Sequence, residues 1–388
     1  MCEVVNEFED ISPYSDEEAV KALNIVAEHP LVAKVSKYIF PDNEETFLRD
    51  VLKQIKGVED FQRVVMSKAV EWVLNSTAHN FSYDGLEHLS KDHHYLAVSN
   101  HRDIILDPAI TQFVLLSNNL PQTQIAVGDN LLKNKFVEYL IRSNRMIKVI
   151  RGISARSLYL SSQLLSKYIR QCITGGESSV WLAQREGRTK NGIDITEQGL
   201  LKMLDMSGTK SFVENFEELN ITPLSISYEY EPCDILKARE LVISKTRKYV
   251  KEANEDIISI VTGIREYKGN IHLNIGSPLT HEEIVEASEC NKNDRYQSIR
   301  HAVDIRVIQG YKLWKTNYMA YDILEKGQRF SDKYTSDDLV AFRAYIDARL
   351  ALPEPELNRA ELKQTLLDIY ANPVRSKLQL EAENANLS

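Results

Sequence analysis

The sequence predicts an α/β protein, with a mostly parallel, mixed sheet flanked by helices and with a helical region at each end of the chain. Six short apolar runs alternate with amphipathic stretches in the middle of the sequence, at 95–100, 124–129, 146–152, 178–184, 222–230 and 271–279. Alternating strands and helices are typical of a largely parallel sheet covered by helices. Apolar residues before and after this middle part recur at helical intervals instead.

The first region, residues 1–78, is expected to be an all-helical subdomain. From residue 16 to about 78, its apolar residues recur mostly every three or four positions, which is the period of one helix face. Pro30 and the segment 41–43 interrupt this pattern and predict breaks between helices.

The second region, residues 79–285, is expected to be the α/β domain. Its predicted strands are separated by stretches with helical periodicity, at 108–118, 154–174 and 196–206. From residue 286 to residue 388 the pattern is helical again, which predicts a C-terminal helical region.

Composition and charge narrow the classes of function. The net charge of −9 and the isoelectric point near 5.6 do not fit the basic surface of a nucleic-acid binder. Four cysteines without CxxC spacing argue against a zinc knuckle or a disulfide framework, and they suit a reducing cytoplasm. No window of 18 uncharged apolar residues and no signal-peptide pattern is present. We expect a cytoplasmic protein, or one attached peripherally to the inner face of a membrane.

The first apolar run is followed by a histidine and two aspartates, in the position where ligands collect in an open α/β sheet. His101, Asp103 and Asp107 lie in one predicted strand-to-helix turn. An aspartate that accepts one imidazole N–H fixes the tautomer and stabilises the imidazolium formed when the other nitrogen takes a proton. The alternative role for Asp107 is a helix N-cap, because Pro108 suits the first helical position. The two roles are compatible.

Two further strand ends carry residues that suit a phosphate group. Gly187 permits a tight turn after the fourth run, and Arg188 and Lys190 then offer a guanidinium fork and a point charge. Arg151 lies at the end of the third run, after its apolar residues, and within the stretch 131–156, which has seven lysines and arginines and one acidic residue. Charge of one sign around a cleft attracts anions. The alternatives are a solvated polar loop and a solvated helix face.

Taken in order, these turns resemble the motif blocks of the glycerolipid acyltransferases. The blocks are Asn-His-Arg…Asp-Pro, a basic segment with Arg-Gly, Glu-Gly-Arg and Ile-Thr-Pro-Leu-Ser-Ile-Ser, and they cover about residues 80–280. That superfamily includes glycerol-3-phosphate and lysophosphatidate acyltransferases. The segments 107–110, 127–130 and 187–190 look most similar to the soluble, plastid-type glycerol-3-phosphate acyltransferases, which also have an N-terminal helical subdomain.

The resemblance implies an O-acyltransferase of phospholipid synthesis that moves a fatty acyl group from a thioester to the hydroxyl of a glycerol-3-phosphate-type acceptor. It implies that His101 is the general base and that Asp107 is its partner. The residues that it assigns to substrate binding are Arg151, Glu186, Gly187, Arg188 and Lys190. It implies no metal and no cofactor besides the acyl donor, which is acyl-CoA or acyl carrier protein. The expected partners are this donor, the phosphorylated acceptor, and a membrane surface or the carrier protein, with no nucleic acid.

The sequence departs from the family pattern at two places. Five residues rather than four separate His101 from Asp107, and one extra residue on an ideal helix rotates a side chain by about 100°. The pair therefore requires the turn before Pro108 to absorb the extra residue, with Asp103 as the fallback partner. Gln184-Arg185 replaces the usual Phe-Pro, which leaves the acceptor open.

Three alternatives stay open at this point. The first is a lysophosphatidate (1-acylglycerol-3-phosphate) acyltransferase. The second is a non-catalytic protein on the same fold that binds lipid or a partner, which the irregular His–Asp spacing allows. The third is a metal-dependent phosphohydrolase that uses His93, His94 and His101, although adjacent histidines on a strand point to opposite faces.

Overall fold

The computed structural model describes residues 7–132, 134–151, 154–354 and 356–387. Cys2 among the four cysteines, Lys133 in the basic stretch 131–156 and Gly152 of the Arg-Gly block lie outside these ranges. The helices are α1 Asp16–Ala27, α2 Leu31–Ile39, α3 Phe47–Leu52, α4 Val58–Phe61, α5 Ser67–Thr77, α6 Leu106–Ser117, α7 Lys135–Arg142, α8 Ala155–Thr174, α9 Gln198–Asp205, α10 Phe212–Glu217, α11 Asp234–Thr246, α12 Glu255–Arg265, α13 His281–Glu289, α14 Asp294–Gly310, α15 Lys315–Leu324, α16 Ser336–Leu350 and α17 Arg359–Leu387. The strands are β1 Ala78–Asp84, β2 Leu96–Ser99, β3 Gln124–Gly128, β4 Met146–Val149, β5 Val180–Ala183, β6 Ile221–Tyr228 and β7 Gly269–Ile275.

The strands form one mixed sheet in the order β1-β7-β6-β2-β5-β3-β4. All neighbouring strands are parallel except β6 and β7, which are antiparallel. The predicted fold class is therefore confirmed. The six apolar runs correspond to β2 to β7, while β1 was not predicted because its sequence is mostly polar and only partly buried.

The strand directions place the candidate site residues at one edge of the sheet. Strands β2, β3, β4, β5 and β6 all run the same way, so their carboxyl ends meet at one edge. His101 follows β2, Arg151 follows β4, and the segment 186–190 follows β5. These three segments, far apart in sequence, therefore lie at the same edge.

Helices cover both faces of the sheet, and successive strand residues alternate between the two cores. Ala97 and Trp181 pack with α5, α6 and the end of α12 on one face. Val98 and Leu182 pack with α8, α9, α13 and α14 on the other face. A separate N-terminal cluster joins α1 to α4 with α7, and a C-terminal cluster joins α11 with α15, α16 and α17.

Within the described ranges, none of the helices combines the length and the hydropathy that a bilayer span requires.

Candidate active site

His101 and Asp107 form a hydrogen-bonded pair at the carboxyl end of β2. The His101 Nδ1 atom lies 2.9 Å from the Asp107 Oδ2 atom, and the carboxylate side chain is 1% exposed. A ring nitrogen that faces a carboxylate carries the proton, so Nδ1 is the donor and Nε2 is left as an acceptor. Among the described residues, Nε2 has no hydrogen-bond partner, and His101 lines a cavity.

The turn between β2 and α6 absorbs the extra residue that separates this pair. The backbone N–H groups of Arg102 and Asp103 donate to Asp107 Oδ2, at 2.5 and 2.8 Å, so the chain wraps around the carboxylate. The hydroxyl of Tyr228 on β6 donates to the other oxygen, Oδ1, at 2.7 Å. Burial and the nearby Asp107 raise the pKa of Tyr228, which keeps its proton available for this bond. Four donors thus fix the carboxylate that faces His101.

The N-cap role considered for Asp107 is wrong, because α6 already begins at Leu106. Asp103 accepts the free backbone N–H groups instead: its Oδ1 bonds those of Ile105 and Leu106, at 2.9 and 2.8 Å. The fallback pairing of Asp103 with His101 is not formed. Asp103 lies two residues before Ile105, the N-cap residue of α6, so its side chain reaches the first free backbone N–H groups.

Asp103 has a second oxygen that nothing bonds. Its Oδ2 is buried without a hydrogen-bond partner among the described residues, and it faces Gly263 of α12 so closely that a Cβ there would lie 2.0 Å away. Burial and the neighbouring Asp107 raise the pKa of Asp103. Burial also lowers the pKa of Lys268 to about 8, although Asp103 acts to raise it. Asp103 therefore caps a helix in a tightly packed position.

A buried ion network holds the backbone on the other side of His101. The Arg102 guanidinium lies 2.5 Å from Asp194 Oδ2 and 3.3 Å from Glu231 Oε2, and the ring of Tyr311 packs 4.9 Å from it. Lys237 donates to Glu231 at 2.6 Å and to the Arg102 carbonyl oxygen at 2.7 Å. The two positive and two negative charges of this network cancel, and buried charges are stable only when they are paired in this way. The network fixes the turn that presents His101.

His101 opens onto a cavity of about 440 Å³ at the carboxyl edge of the sheet. The predicted substrate-binding residues that line this cavity are Arg151, Glu186, Gly187, Arg188 and Lys190. Asp107 lies behind His101 and does not line it. The structure therefore brings the sequence-predicted site residues into one place. Trp181 of β5 also lines the cavity, with its ring edge against His101 at 5.7 Å between centroids.

The three residues predicted to bind phosphate differ in whether a carboxylate of the protein already pairs with their positive charge. Lys190 is paired with Glu240 of α11 and is only partly exposed. Arg151 makes an exposed ion pair with Glu186, at 3.2 Å, and exposed pairs are worth little. Arg188 forms no ion pair within the described ranges, and its Nη1 is buried without a hydrogen-bond partner there. Arg188 is therefore the cation most ready for an anionic ligand.

Arg151 reaches the cavity across the end of β3 because residue 128 is glycine. A Cβ at Gly128 would lie 2.9 Å from the Nε and Nη2 atoms of Arg151 and 2.6 Å from the side-chain oxygen of Asn130. Asn130 in turn donates to Asp256 at the start of α12, at 3.0 Å. The missing side chain thus leaves room for the Arg151 guanidinium in the lining of the cavity.

One wall of the cavity is apolar. Leu158 and Leu165 of α8, Leu182 of β5 and Leu200 and Met203 of α9 form this wall. The wall leads outward to Leu158, which is 50% exposed and is followed by the exposed Tyr159 and Leu160. The exposed Ile257 and Ile258 lie on α12, whose first turn also lines the cavity. The cavity therefore joins a polar, cationic end to an apolar wall and rim.

The proposed set of metal-binding histidines does not come together. His93 and His94 precede β2, whereas His101 follows it, so the strand separates them. In the described part of the chain, no group of three or more His, Cys, Asp or Glu side chains could hold a metal ion.

The sequence analysis missed the residues that support the pair from other parts of the chain. Tyr228 ends β6, which corresponds to the predicted run 222–230, at the same edge as His101, and this position could have identified it. Arg102 is the next residue after His101, but its partners Asp194 and Glu231 belong to no motif. Such long-range contacts leave no pattern in the sequence.

The chain is similar to known acyltransferases. The acyltransferase family model matches residues 80–229, from β1 to the end of β6. Dihydroxyacetone phosphate acyltransferase of Mus musculus is 23% identical over 241 residues, which cover 61% of this chain and 34% of that protein. The chain thus spans about a third of the length of this curated relative. The crystal structure of the 1-acyl-sn-glycerophosphate (LPA) acyltransferase PlsC from Thermotoga maritima covers 76% of this chain and 95% of its own, at 12% identity and a TM-score of 0.37.

Proposed function

We propose that this acyltransferase-family enzyme moves a fatty acyl group from a thioester to the hydroxyl of a phosphorylated three-carbon acceptor, with glycerol 3-phosphate as the preferred acceptor. The observation that carries the proposal is that the His101–Asp107 pair and the free guanidinium of Arg188 line or support one cavity. A base and an anion site in one cavity suit an acceptor that has both a hydroxyl and a phosphate.

The reaction transfers the acyl group from the sulfur of the donor to the oxygen of the acceptor, and it moves the proton of the acceptor hydroxyl to the leaving sulfur. His101 Nε2 takes the proton from the acceptor hydroxyl while its oxygen attacks the thioester carbonyl carbon. The tetrahedral intermediate collapses, the carbon–sulfur bond breaks, and the leaving thiolate recovers the proton from Nε2. Asp107 stabilises the imidazolium that exists between these two transfers. The products are an ester and a free thiol.

Arg188 positions the acceptor in this scheme. Its guanidinium binds the phosphate through two parallel hydrogen bonds, and Arg151 exchanges its exposed pair with Glu186 for a second contact to the same anion. Holding the phosphate places the hydroxyl beside His101, and such positioning supplies several kcal/mol of the barrier reduction. Lys190 remains paired with Glu240 and acts at longer range.

The apolar wall suits the fatty acyl chain of the donor. Leu165, Leu200 and Met203 line the cavity and belong to the apolar core on the α8 side of the sheet, so a chain along them keeps the thioester near His101. Apolar surface on α8 and α9 thus complements a hydrocarbon, since each buried CH₂ contributes about 0.8 kcal/mol.

The exposed rim suits a lipid surface. Leu158, Tyr159 and Leu160 begin α8 next to Arg151 and Arg156, so apolar and basic groups occur together. Replacing Tyr159 and Leu160 by serine should reduce flotation with anionic vesicles at low salt. The matched control replaces Val340 and Leu352, which are equally exposed on the C-terminal helical region. Equal flotation of both variants would remove the rim from membrane attachment.

The function is tested with the purified full chain and a panel of acceptors. Glycerol 3-phosphate, dihydroxyacetone phosphate and 1-acylglycerol 3-phosphate are offered with acyl-CoA and with acylated carrier protein, each without and with EDTA. We expect glycerol 3-phosphate to give the highest kcat/KM and His101→Ala to lose turnover while keeping the wild-type melting temperature. Preference for the 1-acylated acceptor would support the lysophosphatidate alternative. Absence of transfer to any acceptor would support a non-catalytic binding protein, and activity lost to EDTA would support metal chemistry.

A further inference from the structure

A second cavity, of about 510 Å³, lies away from the candidate active site. Ile271, Leu273 and Ile275 of β7 point to the core on the α5 side of the sheet, so His272 and Asn274 point to the other face. There they line this cavity together with the connection from α14 to α15 and with α17. We call it the β7–α17 cavity. It shares no lining residue with the cavity that contains His101.

Three cations line the β7–α17 cavity, and none of them has a carboxylate within 4 Å in the described part of the chain. Lys312 packs 4.9 Å from the ring of Trp314, and Arg329 packs 5.4 Å from the ring of Phe330. Lys377 is partly buried and donates only to the carbonyl oxygen of Gln309, at 3.0 Å. Burial lowers the pKa of Lys377, as expected of an ammonium group with too few partners.

Two carboxylates also line the cavity, and only one of them is already bonded to neighbouring side chains. Asp84 is engaged, because Asn274 donates to its Oδ1 at 2.6 Å and His272 Nε2 lies 3.3 Å from its Oδ2. Glu381 lies one turn after Lys377 on α17 and is exposed. The three cations therefore have only Glu381 as a free counter-charge within the described lining, and a positive excess remains.

We propose that the β7–α17 cavity binds a small soluble anion with more than one negative charge, such as a phosphorylated metabolite, between Lys312, Arg329 and Lys377. The size of the cavity suits a small metabolite, and guanidinium and ammonium donors suit phosphate groups. A soluble source is favoured over a lipid headgroup, because none of the large exposed apolar side chains in the described ranges lines this cavity. The site is independent of the proposed acyl transfer.

The experiment is a calorimetric titration of the full chain with inorganic pyrophosphate at low ionic strength. Arg188→Ala serves as the background, so that binding at the candidate active site does not contribute. We expect one binding event in this background. Lys377→Gln should weaken it about tenfold, the effect of losing one charge-assisted contact. Glu381→Gln should strengthen it, because it removes the free carboxylate. Lys292→Gln is the matched control, since Lys292 is exposed before α14 and lines neither cavity.

The two cavity variants change affinity in opposite directions, which a merely structural effect does not produce. Loss of all pyrophosphate binding in the Arg188→Ala background would overturn the proposal. It would equally be overturned if Lys377→Gln and Glu381→Gln both behaved like Lys292→Gln. Glu381 is exposed, so its variant remains informative even if Lys377→Gln fails to fold. Binding of anionic phospholipid vesicles but not of pyrophosphate, with sensitivity to Lys377→Gln, would assign the site to a lipid headgroup instead.

Discussion

Asp107→Asn is the substitution that most directly separates the charge of the His101 partner from its shape. Three donors meet at Oδ2, so the asparagine oxygen must occupy that position and the amide nitrogen must face Tyr228. The hydroxyl of Tyr228 can rotate to accept from the amide. The hydrogen bond to His101 and its tautomer therefore survive, and only the negative charge is lost.

The magnitude follows from the separation of the charges. An imidazolium and a carboxylate about 4 Å apart attract by about 4 kcal/mol at an effective dielectric constant of about 20. Losing this attraction where the imidazolium forms should lower kcat about 10³-fold, at 1.36 kcal/mol for each factor of ten. Each of the three hydrogen bonds at Oδ2 becomes about 1 kcal/mol weaker with a neutral acceptor, but a buried amide costs less desolvation than a buried carboxylate, so the free energy of unfolding should fall by only about 1–2 kcal/mol.

The assay compares kcat and the melting temperature of Asp107→Asn with those of Asp103→Asn. Asp103→Asn makes the same change of charge and shape four residues earlier in the sequence. Asp103, however, accepts hydrogen bonds only from Ile105 and Leu106 and does not contact His101. We expect Asp103→Asn to keep most of the activity. If Asp103→Asn lowered kcat as much as Asp107→Asn, the partner assignment and the argument from charge would both be wrong.

Three further substitutions test how the cavity binds its substrates. Arg188→Ala should raise the KM of the acceptor about 100-fold and that of the donor little, with partial recovery in Arg188→Lys, and initial rates with inorganic phosphate as competitor check this. Gly128→Ala should raise the acceptor KM about tenfold at an unchanged melting temperature, because the added Cβ displaces the flexible ends of Arg151 and Asn130. An unchanged KM would show that Arg151 does not bind the acceptor. Met203→Trp should shift the preferred donor to shorter acyl chains, measured with a chain-length series; an unchanged preference would place the chain elsewhere.

The fold was predictable because its elements have strong local patterns. Buried strands such as β2 and β5 are continuous apolar runs, and long helices such as α8 have clear periodicity. The edge strand β1 was not predictable, because it is mostly polar and is stabilised by pairing with β7, about 190 residues later. Long-range pairing of this kind has no local signal.

The sequence was sufficient to predict which residues lie in the candidate site, but not which contacts they make there. Strand ends placed His101, Arg151 and Arg188 at one edge, because parallel strands share a carboxyl edge. The pairing of Lys190 with Glu240 could not be anticipated, since Glu240 lies on a helix of another part of the chain. The exchange of roles between Asp103 and Asp107 depends on where α6 begins, and helix boundaries are set by details of the turn.

The buried network around Arg102 has a consequence for how the chain can be divided. Glu231 and Lys237 come after the segment 80–229 that matches the family model, yet both carry charges that hold the turn of His101. A fragment that ends at residue 229 would leave Arg102 buried with Asp194 as its one remaining acidic partner in the network. A fragment that is to keep the turn of His101 must therefore extend beyond residue 229 and include Lys237.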